Sequence, residues 1–159
     1  MDKFISNSEI DTLNFAKKLA RYLNKGDILI LSGDLGSGKT KFTQGILDFF
    51  HLGDEISSPT FTIVNEHLPQ NAPPIYHFDV YRLSSAYEFF EIGGEEYFSN
   101  GICIIEWGEL LENILPDNYL KICFSRQEDK ENERILEFYP YGNHYINIVK
   151  EVLSENFKH

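Results

Sequence analysis

The sequence predicts an α/β fold, a mostly parallel sheet with some antiparallel strands held between two layers of helices as a three-layer sandwich. Three observations carry this. Short apolar runs of strand length alternate with segments of helical periodicity. One of those runs ends at a glycine that opens a loop leading directly into a helix. The 159 residues are 42% apolar and 14% aromatic, which suits one sheet covered by helices in a single domain over 1–159 and argues against disorder.

Ile10, Leu13, Ala16, Ala20 and Leu23 recur at helical spacing and predict a first helix from about Ser8 to Leu23. Ser6 and Glu9 fit a capping box before it, and Asn24-Lys25-Gly26 stops it. Asp27 to Ser32 is a short apolar run read as a buried strand, and Gly33 ends it. Lys39 to Phe50 is a second helix, with Phe42, Ile46, Leu47 and Phe50 on one side. Thr60 to His67 and Ile75 to Leu83 are two strands joined by a loop containing Pro69, Pro73 and Pro74. Their closeness in sequence predicts an antiparallel hairpin. Ser84 to Tyr97 carries helical stretches broken at Gly93-Gly94. Ile102 to Glu106 is another buried strand. Tyr119 to Ser125 and Arg134 to Tyr139 are strands around a charged turn from Gln127 to Glu133, and Asn143 to Leu153 is a closing helix.

The formal net charge is -11, and four residues are Arg. A protein that grips nucleic acid unaided displays basic side chains to displace counterions, so this balance favours partners with basic surfaces over bare RNA or DNA. Cys103 and Cys123 lie inside apolar runs and read as buried, reduced thiols in neighbouring strands. Met1 to Ser8 lacks a basic stretch followed by an apolar run, and no segment approaches about 18 apolar residues. The expectation is a cytoplasmic protein with no membrane span.

Gly33-Asp34-Leu35-Gly36-Ser37-Gly38-Lys39-Thr40 matches G-x-x-x-x-G-K-[ST] in full, in the strand–loop–helix context a P-loop requires. Chance produces such a match in a chain this long roughly once in 200. The glycines permit backbone angles closed to other residues, so the loop's N–H groups can converge on phosphate oxygens. The helix N-terminus adds its positive dipole end. Lys39 brings a mobile charge to the outer phosphates, and the Thr40 hydroxyl can ligate Mg²⁺. The fold expectation sharpens to a P-loop NTPase-like sandwich.

Such a site also needs an acid at the carboxyl end of a neighbouring strand. Glu106, closing the run Ile102 to Ile105, is the first candidate. Asp79 is the second. Alternation puts Tyr76, Phe78 and Val80 on one face of their strand and His77 and Asp79 on the other. His77 reads as a structural histidine. Ser58-Pro59-Thr60 offers two hydroxyls for a loop that senses a γ-phosphate, although this is also common turn chemistry. Asn24-Lys25-Gly26-Asp27 imitates the N-K-x-D pattern that reads guanine, but it precedes the P-loop and sits at a helix end. It reads as a helix stop.

The P-loop, Ser58-Pro59-Thr60-Phe61, His77-Phe78-Asp79-Val80-Tyr81-Arg82 and Ile105-Glu106-Trp107, occurring in that order, resemble the bacterial TsaE family (formerly YjeE). That family is the ATPase component of tRNA threonylcarbamoyladenosine biosynthesis. The likeness covers about residues 6 to 140; Ser37 replaces the Ala common in the family's loop, and the last 20 residues carry no family signature. The resemblance implies ATP with Mg²⁺, slow hydrolysis alone, and work with the TsaB–TsaD pair. That complex modifies the adenosine next to the anticodon in tRNAs reading codons that begin with A, so tRNA is met only through the complex. It implies Gly36, Ser37, Gly38, Lys39, Thr40 and Lys41 on the nucleotide, and Thr40 and Glu106 on Mg²⁺. Asp79 and Thr60 would serve hydrolysis together with Glu106. Trp107 would lie near the nucleotide, and Glu9 near the base. Two other functions share the P-loop: a small-molecule kinase, and a nucleotide-gated interaction module without significant hydrolysis.

Overall fold

The computed structural model describes residues 2–34, 36–53, 64–80, 85–106 and 111–156. In chain order the strands are β1 (Lys3–Ser6), β2 (Ile28–Ser32), β3 (Val64–His67), β4 (Ile75–Asp79), β5 (Ile102–Glu106), β6 (Tyr119–Gln127) and β7 (Lys130–Tyr141). The helices are α1 (Glu9–Ala20), α2 (Lys39–Phe49), α3 (Ala86–Glu91) and α4 (Asn143–Asn156), with a 3-10 helix at Gly94–Ser99. The strands join one sheet in the order β1-β7-β6-β2-β5-β4-β3. The central four, β6-β2-β5-β4, are parallel, and antiparallel strands close both sides. The expected β3–β4 hairpin is present.

β2 lies between β5 and β6 and is buried on both faces, which explains its unbroken apolar run. One face packs Leu29, Leu31, Ile104 and Ile122 against Phe15 and Leu19 of α1, Phe42 and Ile46 of α2, and Val149 and Val152 of α4. The other packs Ile30, Phe78, Cys103 and Ile105 under Phe89 of α3 and Phe98 of the 3-10 helix. α1 and α2 approach closely at Gly45, where a Cβ would sit 2.3 Å from the Leu13 carbonyl oxygen.

Several expectations are corrected. The cap of α1 is Ser8, whose Oγ accepts from the Asp11 N–H at 3.1 Å, while the Asp11 carboxylate accepts from Asn7 N–H at 3.0 Å. Ser6 cannot serve because it belongs to β1, paired with Arg134, and its hydroxyl meets Thr12 at 2.7 Å. β1 itself was invisible in the sequence, being four residues on an edge. Cys103 and Cys123 are both free, but β2 separates their strands, and Cys123 is only half-buried. The charged turn shrinks to two residues, because β6 and β7 run on as a long hairpin with a register shift beyond Arg126. Among the described residues no helix is long and apolar enough to cross a membrane.

Candidate functional site

The chain leaves the carboxyl end of β2 into the P-loop with Gly33, Gly36 and Gly38 at φ values of 145°, 78° and 110°. At Gly33 the demand is also steric, since a Cβ would lie 2.6 Å from the Phe124 carbonyl oxygen of β6. Gly38 is the N-cap of α2 and no side chain caps the helix. The first-turn N–H groups of α2 have no intrahelical acceptor, so they face whatever the loop encloses. Lys39 is 5% exposed, and its Nζ donates to the Gly33 carbonyl at 2.5 Å. Ser37 turns inward: its Oγ is buried without a hydrogen-bond partner, and its N–H donates to the Asp34 carbonyl at 3.1 Å.

Beside the loop, the register pairs Leu31 with Glu106 and Glu106 with Asp79, so both carboxylates stand at the carboxyl ends of adjacent parallel strands. They share the face that carries α1 and α2. The alternation expected for β4 holds, with Tyr76, Phe78 and Val80 in the opposite core. His77 is buried and satisfied, as a structural histidine should be, and its partner is one of the two acids. It is 3% exposed, and its Nε2 lies 2.6 Å from Glu106 Oε2. With Glu106 ionised, that nitrogen carries the hydrogen and fixes one carboxylate oxygen.

A cleft of about 420 Å³ joins these parts, lined by Glu9, Gly36, Gly38, Lys39, Thr40, Lys41, Asp79, Glu106, Asn132 and Arg134. It has two chemically different ends. At one are the in-register carboxylates of Asp79 and Glu106. At the other, the β6–β7 hairpin brings Asn132 and Arg134 towards the start of α1, where Glu9 lies 3.9 Å from Lys41 Nζ. Arg134 Nε donates to the Gly36 carbonyl at 3.3 Å, and its Nη1 donates to the carbonyls of Glu131 and Glu133 at 2.7 and 3.0 Å. Arg126 faces Arg134 across the ladder, and its guanidinium also borders Gly36. Like charges directly opposite in a ladder are unfavourable unless an anion lies near.

Sequence reasoning missed both Asn132, which read as part of a charged turn, and Arg134, which read as the first residue of the strand after it. The available signal was that two of the four arginines flank that turn. Ser37 is the one P-loop prediction whose side chain does not line the cleft. Thr60 and Trp107, with Ser58, Pro59, Phe61, Tyr81 and Arg82, lie outside the described residues. The guanine-like Asn24–Asp27 segment sits at the far end of β2. There the Asp27 carboxylate accepts from Asn24 N–H at 2.7 Å and lies 2.9 Å from His144 Nε2. It is a turn into β2, closed by Asp27 N–H donating to the Asn24 carbonyl at 2.9 Å, and α1 has already ended at Ala20.

The donor set suits a nucleotide with a divalent ion. Lys39, Lys41, Arg134 and the loop's N–H groups match a polyphosphate. Two adjacent carboxylates and a hydroxyl match Mg²⁺, which keeps part of its shell as water and phosphate oxygen. Among the described residues no group of three or more His, Cys, Asp or Glu could hold a metal as an all-protein cage.

Residues 6–136 match the family model described as threonylcarbamoyl adenosine biosynthesis protein TsaE. The chain is 39% identical over 143 residues to the tRNA threonylcarbamoyladenosine biosynthesis protein TsaE of Bacillus subtilis, covering 89% of this chain and 87% of that one. It is 38% identical to the protein of the same name from Rickettsia conorii over 141 residues, covering 80% and 79% of the two chains. The Haemophilus influenzae protein of that name is 35% identical over 144 residues, with 87% and 90% covered. A crystal structure of Bacillus subtilis YdiB superposes with a TM-score of 0.78 at 35% identity, covering 98% of this chain and 95% of that one.

Proposed function

Because this chain belongs to the TsaE family, we propose that it binds and hydrolyses ATP with Mg²⁺ in this cleft as part of threonylcarbamoyladenosine formation on tRNA. The observation that carries the reading is the junction of Lys39 and Thr40 with the in-register acids Asp79 and Glu106 in one cleft. The two ends of the cleft set the direction of the nucleotide. The outer phosphates belong at the carboxylate end, and the base belongs between Arg134, Asn132 and Glu9. A planar guanidinium there can stack on a base, and Glu9 can accept from an exocyclic amine, which favours adenine.

Lys39 exchanges its Gly33 carbonyl partner for phosphate oxygens. Thr40 and Glu106 would hold Mg²⁺, which neutralises phosphate charge when bound. His77 keeps Glu106 in place for that task. Asp79 orients the attacking water, and the resemblance also gives Thr60, outside the described residues, a part in hydrolysis. Both arginines that border the loop, Arg126 and Arg134, belong to the hairpin end. Among the described residues no arginine lines the carboxylate end of the cleft. An arginine finger is worth about 10³–10⁵ in rate, and we infer that a partner supplies that charge, leaving turnover slow without it.

The TsaB–TsaD pair is the partner that raises turnover, and tRNA is reached only through that complex, in keeping with a net charge of -11. The place of action is the cytoplasm. Single-turnover hydrolysis with and without the TsaB–TsaD pair tests this. Faster hydrolysis with the pair is expected, and equal rates would remove the partner from the account.

A further inference from the structure

Charge is distributed very unevenly along this chain. Between Arg82 and Lys121 there are eight acidic residues and no Lys or Arg, so this stretch accounts for most of the net charge of -11. Among the described residues it supplies the helical cover of one sheet face: α3, the 3-10 helix and the segment leading to β6. That cover is thin, whereas three longer helices protect the other face.

The outward side of this cover is not simply solvated. α3 turns Phe89 inward, where it is fully buried. A rotation of about 100° per residue then puts Tyr87 and Glu91 on the opposite side of the helix and Phe90 on the flank between. Tyr87 is 69% exposed, Phe90 42% and the following Ile92 41%. Glu91, Glu95 and Glu96 are exposed around them. A six-residue helix that spends two aromatic rings on solvent, bordered by carboxylates, has the composition of an interface: aromatic anchors within a charged border.

We propose that this face of α3 and the adjoining 3-10 helix docks a protein partner whose surface offers an apolar cleft rimmed by Lys and Arg. The charge excludes two alternatives. Nucleic acid would meet a wall of like charge, and the same face of a second copy would be repelled. The position also fits a partner that acts on the nucleotide site. Phe89 packs on Phe78 with ring centroids 5.7 Å apart, and Phe78 precedes Asp79 on β4. A load on the outer face of α3 therefore bears on the strand that presents Asp79. The proposal rests on the reading above, in which the protein works within a complex, and it adds the surface by which it does so.

The test uses the full chain and purified TsaB–TsaD complex as the probe. Tyr87→Ala, and separately the pair Glu91→Lys and Glu95→Lys, change only exposed side chains. Binding to the complex is measured by titration at two ionic strengths, with ATP affinity and thermal unfolding as controls. Each variant is expected to bind the complex at least about tenfold more weakly, with ATP affinity unchanged. The charge reversals should also flatten the salt dependence of binding. If wild type binds the complex and both variants bind equally well, this surface is wrong and the proposed function stands. If wild type fails to bind the complex at all, the partner reading fails and this proposal falls with it. Self-association of wild type that Tyr87→Ala abolishes would assign the face to a second copy and overturn the proposal.

Discussion

His77 gives the sharpest prediction about how the site is built. In His77→Ala the imidazole that lies 2.6 Å from Glu106 Oε2 is lost from a position 3% exposed to solvent. A hydrogen bond to a charged group contributes about 1.5–3 kcal/mol. If that energy serves to hold Glu106 in its ligating orientation, half-saturation by Mg²⁺ should rise by about 10- to 100-fold, the usual cost of losing a partner that orients a metal ligand. The Lys39 and hairpin ends of the cleft are untouched, so ATP binding without metal should stay the same. The assay is hydrolysis against Mg²⁺ concentration at saturating ATP, with metal-free ATP affinity alongside. His77→Gln, which keeps a donor, should recover part of the loss. A folded His77→Ala protein with wild-type Mg²⁺ dependence would refute the idea that His77 orients Glu106.

The remaining predictions concern the scaffold. Gly45→Ala forces a Cβ to within 2.3 Å of the Leu13 main-chain oxygen. Overpacking against main chain belongs near the top of its usual range, about 3 kcal/mol, which outweighs roughly 1 kcal/mol of improved helix propensity. Urea unfolding should therefore show a net loss of about 2 kcal/mol. Burial pushes the Cys103 thiol up to about 12, so it should resist thiol reagents in the native state while the half-buried Cys123 reacts first. Peptide mapping after limited alkylation checks the order.

The bond from Tyr22, then Arg21, holds the Glu155 carboxyl below its ordinary value. A depressed pKa in the folded state means that this tie between α1 and α4 is intact above the ordinary carboxylate value and lost as pH falls through the folded one. Hydrogen exchange in the last turn of α4 should accelerate below about pH 4, the ordinary carboxylate range, and in Glu155→Gln this acid step should disappear.

Much of the fold could be read because local and tertiary signals agreed. β2 and β5 are buried on both faces, so each is an unbroken apolar run, and the P-loop glycines mark where the chain turns. The acids Glu106 and Asp79 were legible because parallel strands in register put their last residues side by side. What stayed hidden depends on pairing at a distance. β1 is four residues long and exists only through its ladder with β7. Asn132 looked like part of a charged turn and Arg134 like the first residue of the next strand, and only the β6–β7 hairpin carries them to the cleft. The role of His77 needed a distance, since alternation could say which face it shares with Asp79 but not that it meets Glu106.

The central claim is that the loop from Gly33 to Thr40 holds the phosphates of ATP with Mg²⁺. Calorimetric titration of ATP with Mg²⁺ into wild type and Lys39→Ala tests it most directly. The account predicts saturable one-to-one binding by wild type and at least a hundredfold weaker binding by a folded Lys39→Ala protein. Wild type that releases no binding heat, or a Lys39→Ala variant that binds as tightly, would contradict it.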